Sequence, residues 1–411
     1  MLKKIINDDF LKNNIIFFIG SMAVAVLNYL YHPILGRMMS VEDFGEVQSL
    51  ISLFMQLGVF IGVFNVITVN ITANYEDNEE RDAVISALRK ISLYITGALF
   101  LAIVAMSAAL RDFFQFSSFY PFVSLAFLLL TGVSFTFRKA FLQGISDFKA
   151  VSWAGIIFAG GKLVFAVALV YLGWRSLGAI SGLLIAQLLA LLYVYIKTKK
   201  NLDLDFFIKN KIAAVVKAEY KYALLIFLST AAITFLYTAD VLMVKHWFSP
   251  EEAGLYSGIA TIARIIFFAT GSVSGVLLSA VKSKNAPGEN RKILKKGLIL
   301  ISLIAGGGLL LFVLFSNFII NILIGSRYAV LAPLLGELSL LLTLVSLINL
   351  LFYYFLALRR TIIITASLAG PSIIFLLSFF RHESLIQIIH NYLIGSAVVL
   401  VVLFYGIFRK R

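Results

Sequence analysis

Cysteine does not occur anywhere in the 411 residues, so neither a disulfide nor a thiolate metal site can form. Histidine is scarce, and His32, His246, His382 and His390 are scattered without metal-ligand spacing. No Gly-x-x-x-x-Gly-Lys-Ser/Thr loop is present, which removes ATP hydrolysis by the chain itself and leaves a gradient or the substrate as the energy source. A Gly-x-Ser-x-Gly nucleophile elbow is also missing. The expectation is therefore a protein that is not an enzyme, with no catalytic residue, no cofactor and no metal. Charge is sparse as well, at 14% of residues.

What the chain has is apolar length. Hydrophobic residues make up 61% and the mean hydropathy is +0.96, a composition typical of multi-span membrane proteins. A bilayer core ~30 Å thick and a rise of ~1.5 Å per helical residue require about 20 residues per span. That ruler places twelve helices at 13–36, 47–70, 91–110, 118–137, 150–173, 177–196, 222–244, 254–280, 297–324, 329–355, 361–380 and 386–408. Residues 1–12 are too polar, and the run after them too long, for a cleaved signal peptide.

The basic residues set the expected orientation. Of 35 Lys and Arg, 27 fall at the termini and in alternate connections, and six fall in the opposite ones: Arg37, Arg111, Arg175, Lys245, Arg327 and Arg381. Because basic loops stay in the cytoplasm, both termini are expected there, in a multi-pass protein of the cytoplasmic membrane. The formal charge of +14 is concentrated at span ends, where anionic lipid head groups meet it, so membrane lipids rather than nucleic acid are the expected partners. The stretches 2–12 and 197–221 mix apolar and basic residues and read as helices lying on the inner membrane surface.

The chain is also duplicated. Ser40-Val41-Glu42-Asp43-Phe44-Gly45 returns 209 residues later as Ser249-Pro250-Glu251-Glu252-Ala253-Gly254, and under the same offset Gly62 meets Gly271 and Asn65 meets Ser274. The motif has the chemistry of a turn and a helix start: a capping Ser, carboxylates at the positive helix end, and a Gly that lets backbones approach. Six spans per copy put both copies the same way up, so two six-helix lobes are expected, residues 1–200 and 201–411. Repeats in a membrane chain point to a transporter whose substrate path lies between them.

Four Lys, Arg, Asp or Glu residues fall inside spans: Lys162, Asp240, Arg264 and Glu337. An ion at mid-bilayer costs several kcal/mol unless it faces protein or water, which makes each a functional candidate. Lys162 and Arg264 come from opposite halves, ~15 Å deep, and would suit a cavity receiving a diphosphate, Arg as a planar fork and Lys as a mobile point charge. Asp240 and Glu337 lie in the outer half and are candidates for binding a coupling H⁺ or Na⁺. The alternative is a structural salt bridge between Arg264 and Asp240, with Lys162 snorkelling or bonded to carbonyls. Asn28, Tyr31 and His32 of span 1 and Asn65 of span 2 are candidate cavity-lining residues, although satisfied hydrogen bonds between helices would place them equally well. Pro33 is positioned to kink span 1.

Two transporter or enzyme classes lack their marks. A major-facilitator chain would carry a Gly-Asp-Arg-Gly-type loop after span 2, absent from 71–90, and a sugar-polymerising enzyme would need a sizeable outer loop. Tyr29 through Pro33-Ile34-Leu35-Gly36-Arg37, the motif from Ser40 to Gly45, and Asp240-Val241-Leu242-Met243-Val244 through Gly254-Leu255-Tyr256 resemble the polysaccharide transporters. These are the oligosaccharide-lipid flippases of the multidrug/oligosaccharidyl-lipid/polysaccharide exporter superfamily. The resemblance implies two lobes in a V around a central cavity and alternating access. The implied substrate is an undecaprenyl-diphosphate-linked oligosaccharide bound for O-antigen, capsule or exopolysaccharide. It further implies Lys162 and Arg264 as diphosphate ligands and polysaccharide polymerase machinery as a further partner. A multidrug or small-cation antiporter of the same superfamily is the alternative. Relatives that flip the peptidoglycan precursor usually have fourteen spans, against the twelve counted here.

The orientation can be tested directly, since the chain has no native cysteine. Single cysteines at Ser40 and Ser249 are expected to react with an impermeant maleimide from outside, and one at Ser283 from inside. Labelling of Ser40 and Ser283 from the same side contradicts the orientation.

Overall fold

The computed structural model describes residues 9–75, 77–202, 212–282, 285–286 and 288–408. Every regular element among them is helical. In chain order these are α1 (Asp9–Met38), α2 (Val41–Leu57), α3 (Val59–Asn74), α4 (Asn78–Ala105), α5 (Ser107–Phe113), α6 (Tyr120–Gly144), α7 (Phe148–Tyr171) and α8 (Arg175–Thr198). There follow α9 (Ile212–Trp247), α10 (Pro250–Ala280), α11 (Glu289–Leu314), α12 (Ser316–Leu323), a 3₁₀ turn (Ser326–Leu331), α13 (Ala332–Ala357), α14 (Ile362–Phe380) and α15 (Leu385–Phe408). Eleven helices are long and apolar enough to cross a membrane, and the count is twelve where α2 with α3, bent by 48° at their join, is taken as one broken span. The chain is an all-α, multi-pass membrane protein.

Helix starts follow local chemistry. Ser249 Oγ accepts from the Glu252 amide at 3.3 Å, while the Glu252 carboxylate accepts from the Ser249 amide at 3.2 Å, a complete capping box. Ser40 Oγ does the same for the Asp43 amide at 3.1 Å. The repeated motif is therefore a pair of helix caps. Asp77 caps α4 through the Glu79 amide at 2.8 Å, so α4 starts at Asn78, well before the expected 91. Arg81 and Arg89 consequently stand on helix rather than loop.

The offset of 209 residues extends to helix ends. Met38 and Trp247 end α1 and α9, Val41 and Pro250 begin α2 and α10, Ala105 and Leu314 end α4 and α11, and Tyr171 and Phe380 end α7 and α14. Packing repeats too: α4 on α6, α6 on α8 and α7 on α8 recur as α11 on α13, α13 on α15 and α14 on α15. The copies differ at one joint. Span 2 breaks at Gly58, whose amide donates to Phe54 O at 2.8 Å, whereas its counterpart α10 runs unbroken.

By contact the chain divides into two compact units, Met1–Asp43 with Phe60–Tyr220, and Phe44–Val59 with Lys221–Arg411. Residues 44–59, expected in the first lobe, belong with the second unit, and the chain passes between units at the Gly58 bend. Physical reasons are visible along α2. Phe44, Val47 and Leu50 are fully buried, Phe44 meets the Tyr328 ring edge-on at 5.9 Å, and Gln48 and Gln56 accept from Thr261 Oγ1 and donate to Thr238 Oγ1 at 3.3 and 2.8 Å. Gly45 sits against Gly254, its equivalent in the other copy, so closely that a Cβ on Gly45 would stand 2.8 Å from Gly254 Cα. Two helix backbones can touch this way only where both residues are small.

Pro33 lies within α1, which continues unbroken to Met38. Of the surface helices expected at 2–12 and 197–221, residues 2–8 and 203–211 lie outside the described residues. Residues 197–198 end α8, and 9–12 and 212–221 run without a break into α1 and α9, because no Pro or Gly interrupts either stretch. Ser283 also lies outside the described residues.

Gly45→Val is expected to destabilise the protein by about 1–3 kcal/mol, since the added atoms meet backbone that cannot rotate away. A thermal unfolding midpoint in detergent checks this, with Gly62→Val, where a Cβ meets nothing within 4 Å, as the comparison.

Candidate functional site

The polar interior of the second unit is built on Asp240. It lies on α9 seven residues before the helix ends, and the tight connection to α10 brings Tyr256 opposite it. The Tyr256 hydroxyl donates to Asp240 Oδ2 at 2.9 Å. Arg264 stands two turns further along α10, but helical side chains lean toward the N-terminus, so its guanidinium reaches back to the same level. There Nη2 lies 3.3 Å from Asp240 Oδ1 and Nε donates to the Tyr237 carbonyl at 2.8 Å. Asp240 is 2% exposed and Arg264 6%. The two form a buried ion pair, the alternative that the sequence left open.

Under the offset, Asp240 corresponds to Tyr31 in the first unit. Tyr31 is fully buried, so it offers no surface to a cavity, and its hydroxyl reaches the Ala179 carbonyl at 3.4 Å. A basic group again meets this position, now from α7: Lys162 Nζ lies 4.7 Å from the Tyr31 ring centre, and the residue is 9% exposed. No carboxylate among the described residues pairs with it. A cation over a desolvated aromatic face gains about 2 kcal/mol. That is less than the cost of a lysine at mid-bilayer, about 3 kcal/mol on the lowest scale and far more on others. Lys162 is thus a buried positive charge that its surroundings compensate only in part. His32 packs edge-on against Tyr31 at 5.4 Å, and Asn28, His32 and Asn65 are all partly exposed.

Glu337 finds a partner that sequence reasoning missed. Its Oε2 lies 2.9 Å from His390 Nε2, with the side chains 35% and 46% exposed. Both residues stand five positions past the first residue of their helices, α13 and α15, which pack together. Equal depth on helices of the same direction was the available signal. Three intramembrane glutamines were missed as well. Besides Gln48 and Gln56, Gln187 is buried and donates to the Leu128 carbonyl and to Thr131 Oγ1, both at 2.7 Å. Lys245, counted with the outer connections, is fully buried at the end of α9. The other buried carboxylates with resolved ion pairs, Asp43 and Asp82, meet Arg175 and Arg81, each at 2.8 Å.

A bent twelfth span, two repeated sets of six and ion pairs inside the apolar interior define a membrane transporter fold. Solved structures share it. The chain is similar to a multidrug resistance MATE family transporter of the MOP superfamily in an inward-facing conformation, with TM-score 0.73 and 15% identity over 92% of this chain and 93% of that one. Similarity to the lipid II flippase MurJ in an inward closed conformation has TM-score 0.73 and 14% identity over 96% and 87%. For an outward-facing MATE transporter of the same superfamily the values are 0.60 and 18% over 98% and 96%. By sequence, no curated protein matches. The profile of the polysaccharide biosynthesis protein family matches residues 10–278, and the chain belongs to that family.

Asp240→Asn is expected to cost about 3–5 kcal/mol in stability, because it leaves Arg264 charged and unpaired in the interior. Replacing both, Asp240→Asn with Arg264→Met, should recover most of the loss, and thermal unfolding of the single and double variants measures it. A double variant no more stable than Asp240→Asn would mean that the pair is not what the single change breaks.

Proposed function

We propose that the chain is a flippase that moves an undecaprenyl-diphosphate-linked oligosaccharide across the cytoplasmic membrane by alternating access, for surface polysaccharide such as O-antigen, capsule or exopolysaccharide. The observation that carries this reading is the setting of Lys162. Asp43, Asp82 and Asp240 are each met by an arginine, while buried Lys162 faces the ring of Tyr31 and pairs with no carboxylate among the described residues. A site with a surplus buried cation attracts a diphosphate and repels a cationic drug. The multidrug or cation antiporter is the second reading, and a buried cation such as Lys162 counts against a cationic substrate there. Family membership and the fold shared with a lipid II flippase agree with the reading.

Lys162 is assigned to the diphosphate in the first place. Arg264, anchored on Asp240 and the Tyr237 carbonyl, is the second diphosphate candidate. The glycan occupies a wet path on which Asn28, His32 and Asn65 are candidate contacts, and the polyprenyl tail remains in lipid. Coupling to an H⁺ or Na⁺ gradient falls to Glu337, whose carboxylate meets His390 Nε2 at 2.9 Å. Asp240 can serve coupling only by exchanging Arg264 for the ion. Both termini lie in the cytoplasm, and polymerase machinery takes the product on the outer side.

Proteoliposomes with a fluorescent undecaprenyl-diphosphate sugar test the reading. Lys162→Ala should slow flipping at least about tenfold, the equivalent of 1.4 kcal/mol, with Lys162→Arg retaining most of it, and Arg264→Lys should retain more than Arg264→Ala. Lys162→Ala at the parental rate, or gradient-driven efflux of a cationic dye with no flipping, refutes it.

A further inference from the structure

A second concentration of positive charge lies away from the buried pairs, within the first unit. Three helices end together there: the start of α4 and the last turns of α6 and α8, which pack in that order. Between them is a cavity of about 890 Å³. Among the described residues its walls carry Arg81, Arg89, Arg138, Lys199 and Lys200 against a single carboxylate, Asp82. Three basic segments far apart in sequence, which the charge count treats only as marks of orientation, thus converge on one hollow.

The five cations are not equivalent. Arg81 is spent on structure: it is buried, its Nε and Nη2 lie 2.8 Å from Asp82 Oδ1, Nη1 donates to Asn78 Oδ1 at 2.6 Å, and Nη2 also reaches the Asn201 carbonyl. That network neutralises the one acidic wall and ties the segment after α8 to the start of α4. Arg138 Cζ lies over the Tyr195 ring, 4.7 Å from its centre, and Nη1 donates to Thr198 Oγ1 at 2.7 Å, so the guanidinium is held from two sides. Lys199 and Lys200 are exposed, and no side-chain partner holds them among the described residues. A rigid planar fork beside two mobile point charges, with the only carboxylate already paired, is the donor set that binds phosphoryl oxygens. Orientation alone would be satisfied by lysines spread around the helix ends, and does not require an arginine fixed on an aromatic ring at a cavity wall.

We propose that this cavity is a phosphoryl-binding site, in which Arg138 orients and Lys199 and Lys200 close on the phosphate or diphosphate of a lipid head group at the basic face of the membrane. The proposal stands apart from the role given to Lys162, since the two sites share no residue.

The test uses the full chain in nanodiscs of zwitterionic lipid, with three probes titrated separately: inorganic pyrophosphate, undecaprenyl diphosphate and phosphatidylglycerol, and with diacylglycerol as the uncharged control. The parent protein should bind at least one phosphoryl probe, and binding should weaken as salt rises. Lys199→Ala with Lys200→Ala should weaken it about tenfold or more, at roughly 1 kcal/mol per basic residue near the surface, and Lys199→Arg with Lys200→Arg should retain it. These side chains are exposed, so size-exclusion profiles and unfolding midpoints should match the parent. Preference for undecaprenyl diphosphate assigns the site to the carrier lipid, preference for phosphatidylglycerol assigns it to the bilayer, and equal binding of pyrophosphate assigns it to the phosphoryl group alone. In a Lys162→Ala background the double alanine change should still weaken phosphoryl binding about tenfold, which separates failure here from failure of the flipping site. The proposal is overturned if the double alanine variant binds like the parent, if the double arginine variant loses binding equally, or if no phosphoryl probe binds better than diacylglycerol.

Discussion

A carboxylate in an apolar interior has to be met by donors, and Asp240 shows how much structure that requirement organises. Its oxygens collect a tyrosine hydroxyl and a guanidinium from α10, and the guanidinium takes the Tyr237 carbonyl as well. One side chain of α9 thereby fixes the rotation of α10 over two turns. The same helix pair receives α2 through Gln48, Gln56 and the contact of Gly45 with Gly254. Apolar packing could hold these helices at several rotations, since lipid is as apolar as leucine. The polar contacts select one.

Duplication explains the frame of the chain and not its chemistry. Helix ends keep the offset of 209 residues in several places and the packing pairs recur, so the backbone plan is common to both copies. The polar positions have diverged. Where one copy has Asp240 with an arginine from the adjacent helix, the other has Tyr31 with a lysine from α7. An acid can neutralise its cation and an aromatic ring cannot, so divergence at this position is what leaves Lys162 with surplus charge. The Gly58 bend is a second departure, and it carries one half of span 2 into the other unit.

The fold alone does not decide the substrate class, because multidrug transporters and a lipid flippase share it at similar structural distance. The setting of Lys162 is more informative: it is buried against the Tyr31 ring, and no carboxylate among the described residues pairs with it.

The amino-acid sequence by itself determined the class, the number of spans, the duplication and the capping motif. These depend on composition, on the length of apolar runs and on hydrogen bonds between residues three apart, all of which are local. It also marked Lys162, Asp240, Arg264 and Glu337, because a charge inside an apolar run is conspicuous wherever its partner lies. Partners were another matter. That Arg264 serves Asp240, that Glu337 meets His390, and that Lys162 has a ring instead of a carboxylate depend on helix rotation and on which helices pack, which only the tertiary structure decided. The assignment of 44–59 to the second unit was equally out of reach, since a bend at a glycine leaves the apolar run continuous. The basic hollow at the ends of α4, α6 and α8 arises from residues 120 positions apart meeting at one membrane face, as Arg81 meets Asn201. In sequence they are separate loops with the same sign of charge, and only folding turns equal sign into a common site.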